Sequence, residues 1–314
     1  MKLYKTILAA SVLSVSLTSC LKDDSDLLDP NDTENVIEFA NIANLTSPTT
    51  SKYPLVSVNV IMDPAGTLNT VVSYSGAHNA PQDITVEIAV ADPAVVAAYN
   101  TQNARSYVVL PTNLYTLPSN KVTIPRGQRQ VTFPINFINA DQLYNKNYVL
   151  ALTIKSASSG IISGNFGTML YLLSGINRYD GVYTLKYRFG ANDRGYDVAP
   201  TTWFYSDVQL FTTGSNTVTI RNLNAASPYP HAAVASGLPT AIASFTPQLT
   251  FDLATNKITN ITNSVSGTKT AVPNPAVTDN RAELLKNVFA SFILKETGRA
   301  DMIINDTLVY KTPR

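Results

Sequence analysis

Short stretches in which apolar and polar residues alternate, each closed by a turn-forming cluster, recur from Val36 to the last residues of the chain. Alternation with a period of two sets one face of an extended segment against a core and the other against water. The pattern therefore dictates half-buried β-strands. Ile84, Val86, Ile88 and Val90 share one face, while Thr85, Glu87 and Ala89 share the other. Residues 55–62 largely alternate and end in Asp63-Pro64-Ala65-Gly66, which has turn chemistry. Residues 69–74, 121–127, 130–138, 148–154 and 168–173 read as further strands. Pro134, inside one of them, has no amide hydrogen to give a ladder and predicts an edge position or a bulge. One segment breaks the pattern. Asp92 is a good N-cap, Pro93 suits the first helical position, and Val95, Val96 and Tyr99 fall on a helical stripe, which predicts a short helix over 92–100.

Seven or so short strands joined by frequent turns predict an immunoglobulin-like β-sandwich over residues 36–175. The strand pattern restarts at Tyr179-Asp180-Gly181-Val182-Tyr183 and continues through 182–189, 204–211, 216–221, 248–253, 257–261, 288–294 and 307–310. Residues 223–244, rich in Pro, Ala and Ser, read as a long excursion, and 279–286 as one or two helical turns. The expected fold class is all-β: the sandwich, then a mainly antiparallel domain over 179–314 that is either a second sandwich or a small barrel.

The chain has one cysteine, Cys20, so no disulfide can form within it and both domains must hold by core packing. Cys20 ends a segment with the layout of a lipoprotein signal peptide (residues 1–19). Lys2 and Lys5 precede an apolar run over 7–17, and Leu17-Thr18-Ser19 offers small residues before the cut. The run is too short to span a bilayer as a helix. A cysteine at the first mature position can carry thioether-linked diacylglycerol, and each acyl CH2 buried in lipid contributes roughly 0.8 kcal/mol of anchoring. Lipidation at Cys20 is expected, with residues 20–35 as a polar tether. Lys22-Asp23-Asp24-Ser25-Asp26 within it resembles the surface-export signal of Bacteroidota lipoproteins. The expected location is the outer membrane, lipid-anchored and facing outward.

Charged residues make up 14% of the chain, against a typical ~25%, and balance to a formal net charge of +1. No global field of one sign exists to steer a polyanion, so nucleic acid is not an expected partner. His78 and His231 stand far apart in no metal-ligand spacing, and both are expected to face solvent. No Walker loop, Gly-x-Ser-x-Gly elbow or His-Glu-x-x-His occurs, so no cofactor, metal or catalytic residue is expected. Asp193, Asp197, Asp207 and Asp301 include no pair that the sequence marks as glycosidase carboxylates.

The first domain resembles a known family at Asp92-Pro93-Ala94-Val95-Val96-Ala97-Ala98-Tyr99-Asn100, Leu110-Pro111, Tyr115-Thr116-Leu117-Pro118, residues 122–127 and residues 148–154. That family is the domain of unknown function at the N-terminus of many Bacteroides surface lipoproteins, often encoded with outer-membrane glycan importers of the starch-utilisation type. Residues 179–183 and Asp306-Thr307-Leu308-Val309-Tyr310 are similar to C-terminal domains of the same lipoproteins. The resemblance implies a surface spacer carrying a C-terminal domain that binds or cleaves carbohydrate. The large barrel and acid-rich strand of a family-18 glycosidase do not fit this sequence. A non-catalytic glycan-binding lipoprotein that supports a polysaccharide importer is therefore the expected function, with a structural or adhesive surface protein binding a protein partner as the alternative. The candidate glycan-binding residues are Trp203, Tyr205, Tyr196 and Tyr229 as stacking rings and Asp193, Arg194 and Asp197 as partners for hydroxyls. A lone tryptophan is more often core than surface. Phe204 and Tyr205 must point to opposite faces, so at most one of them joins Trp203.

Overall fold

The computed structural model describes residues 33–40, 45–190, 196, 200–223 and 227–314. The chain is all-β, in two domains. The expected signal peptide, residues 1–19, and Cys20 lie outside the described residues.

The first domain contains β1 (Val36–Phe39), β2 (Leu55–Ile61), β3 (Thr67–Ser75), β4 (Ile84–Val90), β5 (Val108–Val109), β6 (Tyr115–Thr116), β7 (Lys121–Ile124), β8 (Gln130–Phe137), β9 (Tyr148–Ala157), β10 (Ile161–Ile162) and β11 (Thr168–Ile176). They form two sheets, in the orders β10-β1-β3-β8-β6 and β2-β11-β9-β4-β7, with β5 also paired to β9. Ile37, Phe39, Val72, Phe133 and Ile135 of the first sheet meet Val86, Ile88, Leu152 and Tyr171 of the second in one core. The Tyr171 hydroxyl bonds Thr70 Oγ1 across the sandwich, and both side chains are fully buried. Burial pushes the Tyr171 phenol pKa up, and the bond to Thr70 opposes this only in part. Pro134 pairs with Asn69 of β3, while β6 covers only Asn136 and Phe137, so the strand is an edge at the proline.

Helix α1 (Pro93–Asn103) starts where the N-cap signal places it. The Ala94 amide donates to Asp92 Oδ1 at 2.8 Å. Its buried residues Val96 and Tyr99 pack on Leu55, Val149, Ala151 and Leu170, on the side of the second sheet away from the sandwich core. β9 is thus covered on both sides, and its sequence is correspondingly a nearly continuous apolar run.

The second domain contains β12 (Gly181–Phe189), β13 (Phe204–Gly214), β14 (Thr217–Asn222), β15 (Ala232–Ala235), β16 (Leu238–Ala241), β17 (Pro247–Asp252), β18 (Lys257–Asn263), β19 (Lys269–Pro273), β20 (Arg281–Ala282), β21 (Asn287–Glu296) and β22 (Met302–Thr312). The ladder β12-β13-β14-β17-β18-β20-β21 is antiparallel throughout, and β22 pairs with both of its ends. Leu308 is opposite Leu185 on one side and Val288 on the other. The domain is therefore a closed up-and-down barrel, which settles the choice between sandwich and barrel. Its thinnest seam is at β20, which meets β18 through the single pair Lys257–Arg281. A barrel of about eight strands has an interior that side chains alone can fill. Tyr187, Phe189, Leu210, Phe251, Phe292 and Ile304 are among those that fill it.

Two expectations need correction. Residues 279–286 are β20 and a tight turn, not helix, because Arg281 is drawn into the ladder between Lys257 and Phe289. The 223–244 stretch is a long excursion between β14 and β17, which pair directly, and its described residues carry the separate β15–β16 hairpin and send His231, Ala233 and Ile242 into the barrel core. His231 accordingly does not face solvent. It is fully buried, its Nε2 is 3.0 Å from each carboxylate oxygen of Asp306, and the rings of Tyr187, Phe245 and Phe292 surround it. Tyr187 Oη donates to the Ala232 carbonyl at 3.0 Å and accepts the Ala232 amide at 2.7 Å, which also fixes the segment. His78 is exposed, as expected.

The junction between the domains is short and pinned. Arg178 donates from Nε to the Asp63 carbonyl at 2.7 Å and from Nη1 to the Leu253 carbonyl at 3.1 Å, and pairs with the Asp63 carboxylate. Asp180, buried beneath, accepts from the Thr212 amide at 2.9 Å and from Arg314 Nε at 2.8 Å.

Candidate functional site

Alternation along β12 turns Tyr183, Leu185, Tyr187 and Phe189 into the barrel and Thr184, Lys186 and Arg188 outward. On β13 it turns Tyr205 and Asp207 outward, while Phe204 packs inward on Tyr187 at 5.3 Å between ring centroids. The register sets Lys186 opposite Tyr205 and Thr184 opposite Asp207. Trp203, immediately before β13, shares the outer face with Tyr205. Trp203 is 39% exposed and Tyr205 63%, so the chain's lone tryptophan is a surface residue.

The cations of this face lie against its rings. Lys186 Nζ is 4.3 Å from the centroid of a Trp203 ring and 5.8 Å from that of Tyr205, and the Arg188 guanidinium carbon is 4.9 Å from Trp203. Each such contact at an exposed site contributes about 0.5–1 kcal/mol. It holds the indole on the sheet and gives the aromatic surface a positive rim. Asp207 is already engaged, since its Oδ2 accepts from Lys311 at 3.0 Å and its Oδ1 from Thr184 Oγ1 at 3.1 Å. The Lys311 hydrogen bond chiefly holds the Asp207 carboxyl below its usual range.

The other candidate rings lie elsewhere. Tyr196 stacks on Phe189 at 6.4 Å, and Phe189 faces the barrel interior. Tyr229 is half-buried in the segment leading to His231. Its carbonyl accepts from Asn222, and the next carbonyl, of Pro230, accepts from Ser206, which lies on the side of β13 opposite Tyr205. Asp193, Arg194 and Asp197 lie outside the described residues. Lys186 and Arg188 lie at alternate outward positions of the 182–189 strand, where alternation marks them as exposed but nothing local marks them as neighbours of Trp203.

Among the described residues no second constellation offers chemistry. The His231–Asp306 pair has the geometry of a base and its orienting carboxylate. His231 Nδ1, however, has no hydrogen-bond partner, and both side chains are sealed from solvent. The pair fastens the hairpin segment to β22. Among the described residues no three of His, Cys, Asp and Glu gather as metal ligands. A cleft of about 380 Å3 between the domains is lined by Asn59, Asn145, Lys146, Asn147, Phe211 and Arg314, but Asp180 already holds the Arg314 guanidinium.

The model of a family described as a "-like, N-terminal domain" matches residues 39–161, all within the sandwich. No curated protein matches the sequence. Among solved structures, a Bacteroides ovatus protein of unknown function is similar at a TM-score of 0.55 and 14% identity, over 89% of this chain and 95% of that one. It shares the two-domain fold and shows nothing further. Fainter likenesses join a Bacteroides ovatus protein provisionally described as carbohydrate-binding (TM-score 0.35, 14% identity, 88% of this chain and 97% of that one). Another is an auxiliary nutrient binding protein of Bacteroides thetaiotaomicron (TM-score 0.32, 13% identity, 81% of this chain and 89% of that one). At these scores neither likeness carries an argument about this chain.

Proposed function

We propose that this chain is a non-catalytic glycan-binding lipoprotein. The lipid on Cys20 holds it on the outer membrane, the sandwich is its spacer, and the outer face of β12 and β13 is its binding surface in support of a polysaccharide importer. The observation that carries the reading is the pair of exposed rings, Trp203 and Tyr205, side by side on one sheet face with hydrogen-bonding side chains around them. A sugar ring has a flat C–H face and a rim of hydroxyls. Aromatic side chains offer it a large, stiff contact area at low entropy cost. Lys186, Arg188 and Thr184 supply polar groups at the edge of that area.

Titration calorimetry of the full chain against a panel of neutral and acidic polysaccharides tests this. The reading requires heat of binding with at least one of them and no release of reducing ends. Silence across the panel defeats it, and released sugar makes the protein a glycosidase instead.

One observation favours the adhesive alternative. Leu284 and Leu285 are exposed at the β20–β21 turn, and Val309, opposite Asn287 in the adjoining ladder, is 45% exposed. Exposed apolar clusters of this kind mark contacts with other proteins. Capture of a specific surface protein that Leu285→Ser abolishes would support that role.

A further inference from the structure

We propose that the β12–β13 face takes an acidic glycan, a sugar chain bearing carboxylate or sulfate groups. The inference rests on the glycan-binding reading above and names its ligand class. Three observations converge on it.

Lys186 and Arg188 occupy alternate outward positions of one strand, roughly 7 Å apart along it. Neither forms an ion pair with any carboxylate among the described residues. The acid that neighbours them on β13, Asp207, is bound to Lys311 and Thr184. Among the described residues a local positive excess therefore sits on a chain whose overall charge is close to zero. Their spacing addresses two charges along a ligand chain better than one isolated ion.

Both cations also lie over the indole of Trp203. A neutral sugar stacked on the exposed indole gives their N–H donors nothing stronger than hydroxyls. An acidic sugar leaves the cations at the ring, and their remaining donors turn to its anionic group. The guanidinium is suited to this, because its planar fork matches carboxylate or sulfate oxygens two at a time while its face stays stacked. Tyr205, the more exposed ring, continues the platform along β13.

Matched pairs of probes test the proposal: polygalacturonate against its methyl ester for carboxylate, and dextran sulfate against dextran for sulfate. Affinity electrophoresis of the full chain in native gels reads the retention. The proposal expects at least one charged probe to be held about tenfold more tightly than its neutral counterpart, the size of one charge-assisted hydrogen bond. That preference should fall as salt shortens the screening length. The variant Lys186→Gln/Arg188→Gln should lose it, holding both members of each pair alike, while remaining folded by circular dichroism. Equal retention within both pairs, unchanged in the variant, overturns the acidic ligand and leaves the glycan reading standing. No retention by any of the four probes overturns both. Equal retention by single-stranded DNA makes the face a general polyanion surface and overturns the sugar assignment.

Discussion

Replacing His231 with Ala should unfold the barrel at a much lower temperature, although the residue is no part of the outer-face site. His231 and Asp306 are fully buried, and their contact joins segments 75 residues apart. With the imidazole gone, the Asp306 carboxylate loses the partner that lies 3.0 Å from both of its oxygens and stays buried. Breaking a buried pair from one side costs about 3–5 kcal/mol. At roughly 4 °C per kcal/mol for a domain of this size, the transition should fall by about 12–20 °C. Scanning calorimetry reads the shift, and near-ultraviolet circular dichroism of the barrel's packed tyrosines identifies the domain that moved. The variant His231→Leu/Asp306→Leu removes both polar groups together and should regain most of the loss, since an apolar pair of similar volume is often neutral in such a site. Below its transition, each variant should keep wild-type glycan affinity, because the pair faces away from Trp203. A loss under about 1 kcal/mol for His231→Ala, or a double variant as unstable as the sum of the singles, would refute the reasoning.

Iodide should quench Trp203 fluorescence more strongly than caesium, because Lys186 and Arg188 attract the anion to the exposed indole, and Lys186→Gln/Arg188→Gln should bring the two quenchers close to equality. Arg178→Ala removes two hydrogen bonds to Asp63 of the first domain and one to Leu253 of the second, and should increase the radius of gyration in small-angle X-ray scattering while leaving each domain folded. Cys20→Ser should abolish incorporation of labelled palmitate and shift the protein from the membrane to the soluble fraction, and an unchanged distribution would remove the proposed anchor.

What the sequence disclosed follows from what local alternation contains. The inward set Ile84, Val86 and Ile88 and the Asp92-Pro93 helix start were legible because the determining residues are neighbours in the chain. The opposed orientations of Phe204 and Tyr205 were legible for the same reason. Alternation says which side of a strand is buried, but not which strand lies across from it. Closure of the barrel depends on β22 meeting both β12 and β21, contacts that span most of the domain, and the local pattern of β22 is the same in a sandwich. His231 was misread for a related cause. A histidine beside Pro230 in an Ala- and Ser-rich stretch looks like loop surface until Asp306, on the last strand, is brought against it. Residues 279–286 failed differently. Their spacing suits a helical turn, and the ladder at Lys257 and Phe289 overrides that preference.

The measurement that bears most directly on the outer-face site compares the wild-type chain with Trp203→Ala/Tyr205→Ala in titration calorimetry against the polysaccharide that binds best. Both rings are exposed, so the variant should stay folded, its transition lowered only by the few degrees that the cation–π contacts of Trp203 and Tyr205 contribute. The account predicts that its affinity falls at least about thirtyfold, the loss of two stacking contacts of roughly 1 kcal/mol each. Undiminished binding by a folded variant would place the glycan somewhere else on the molecule.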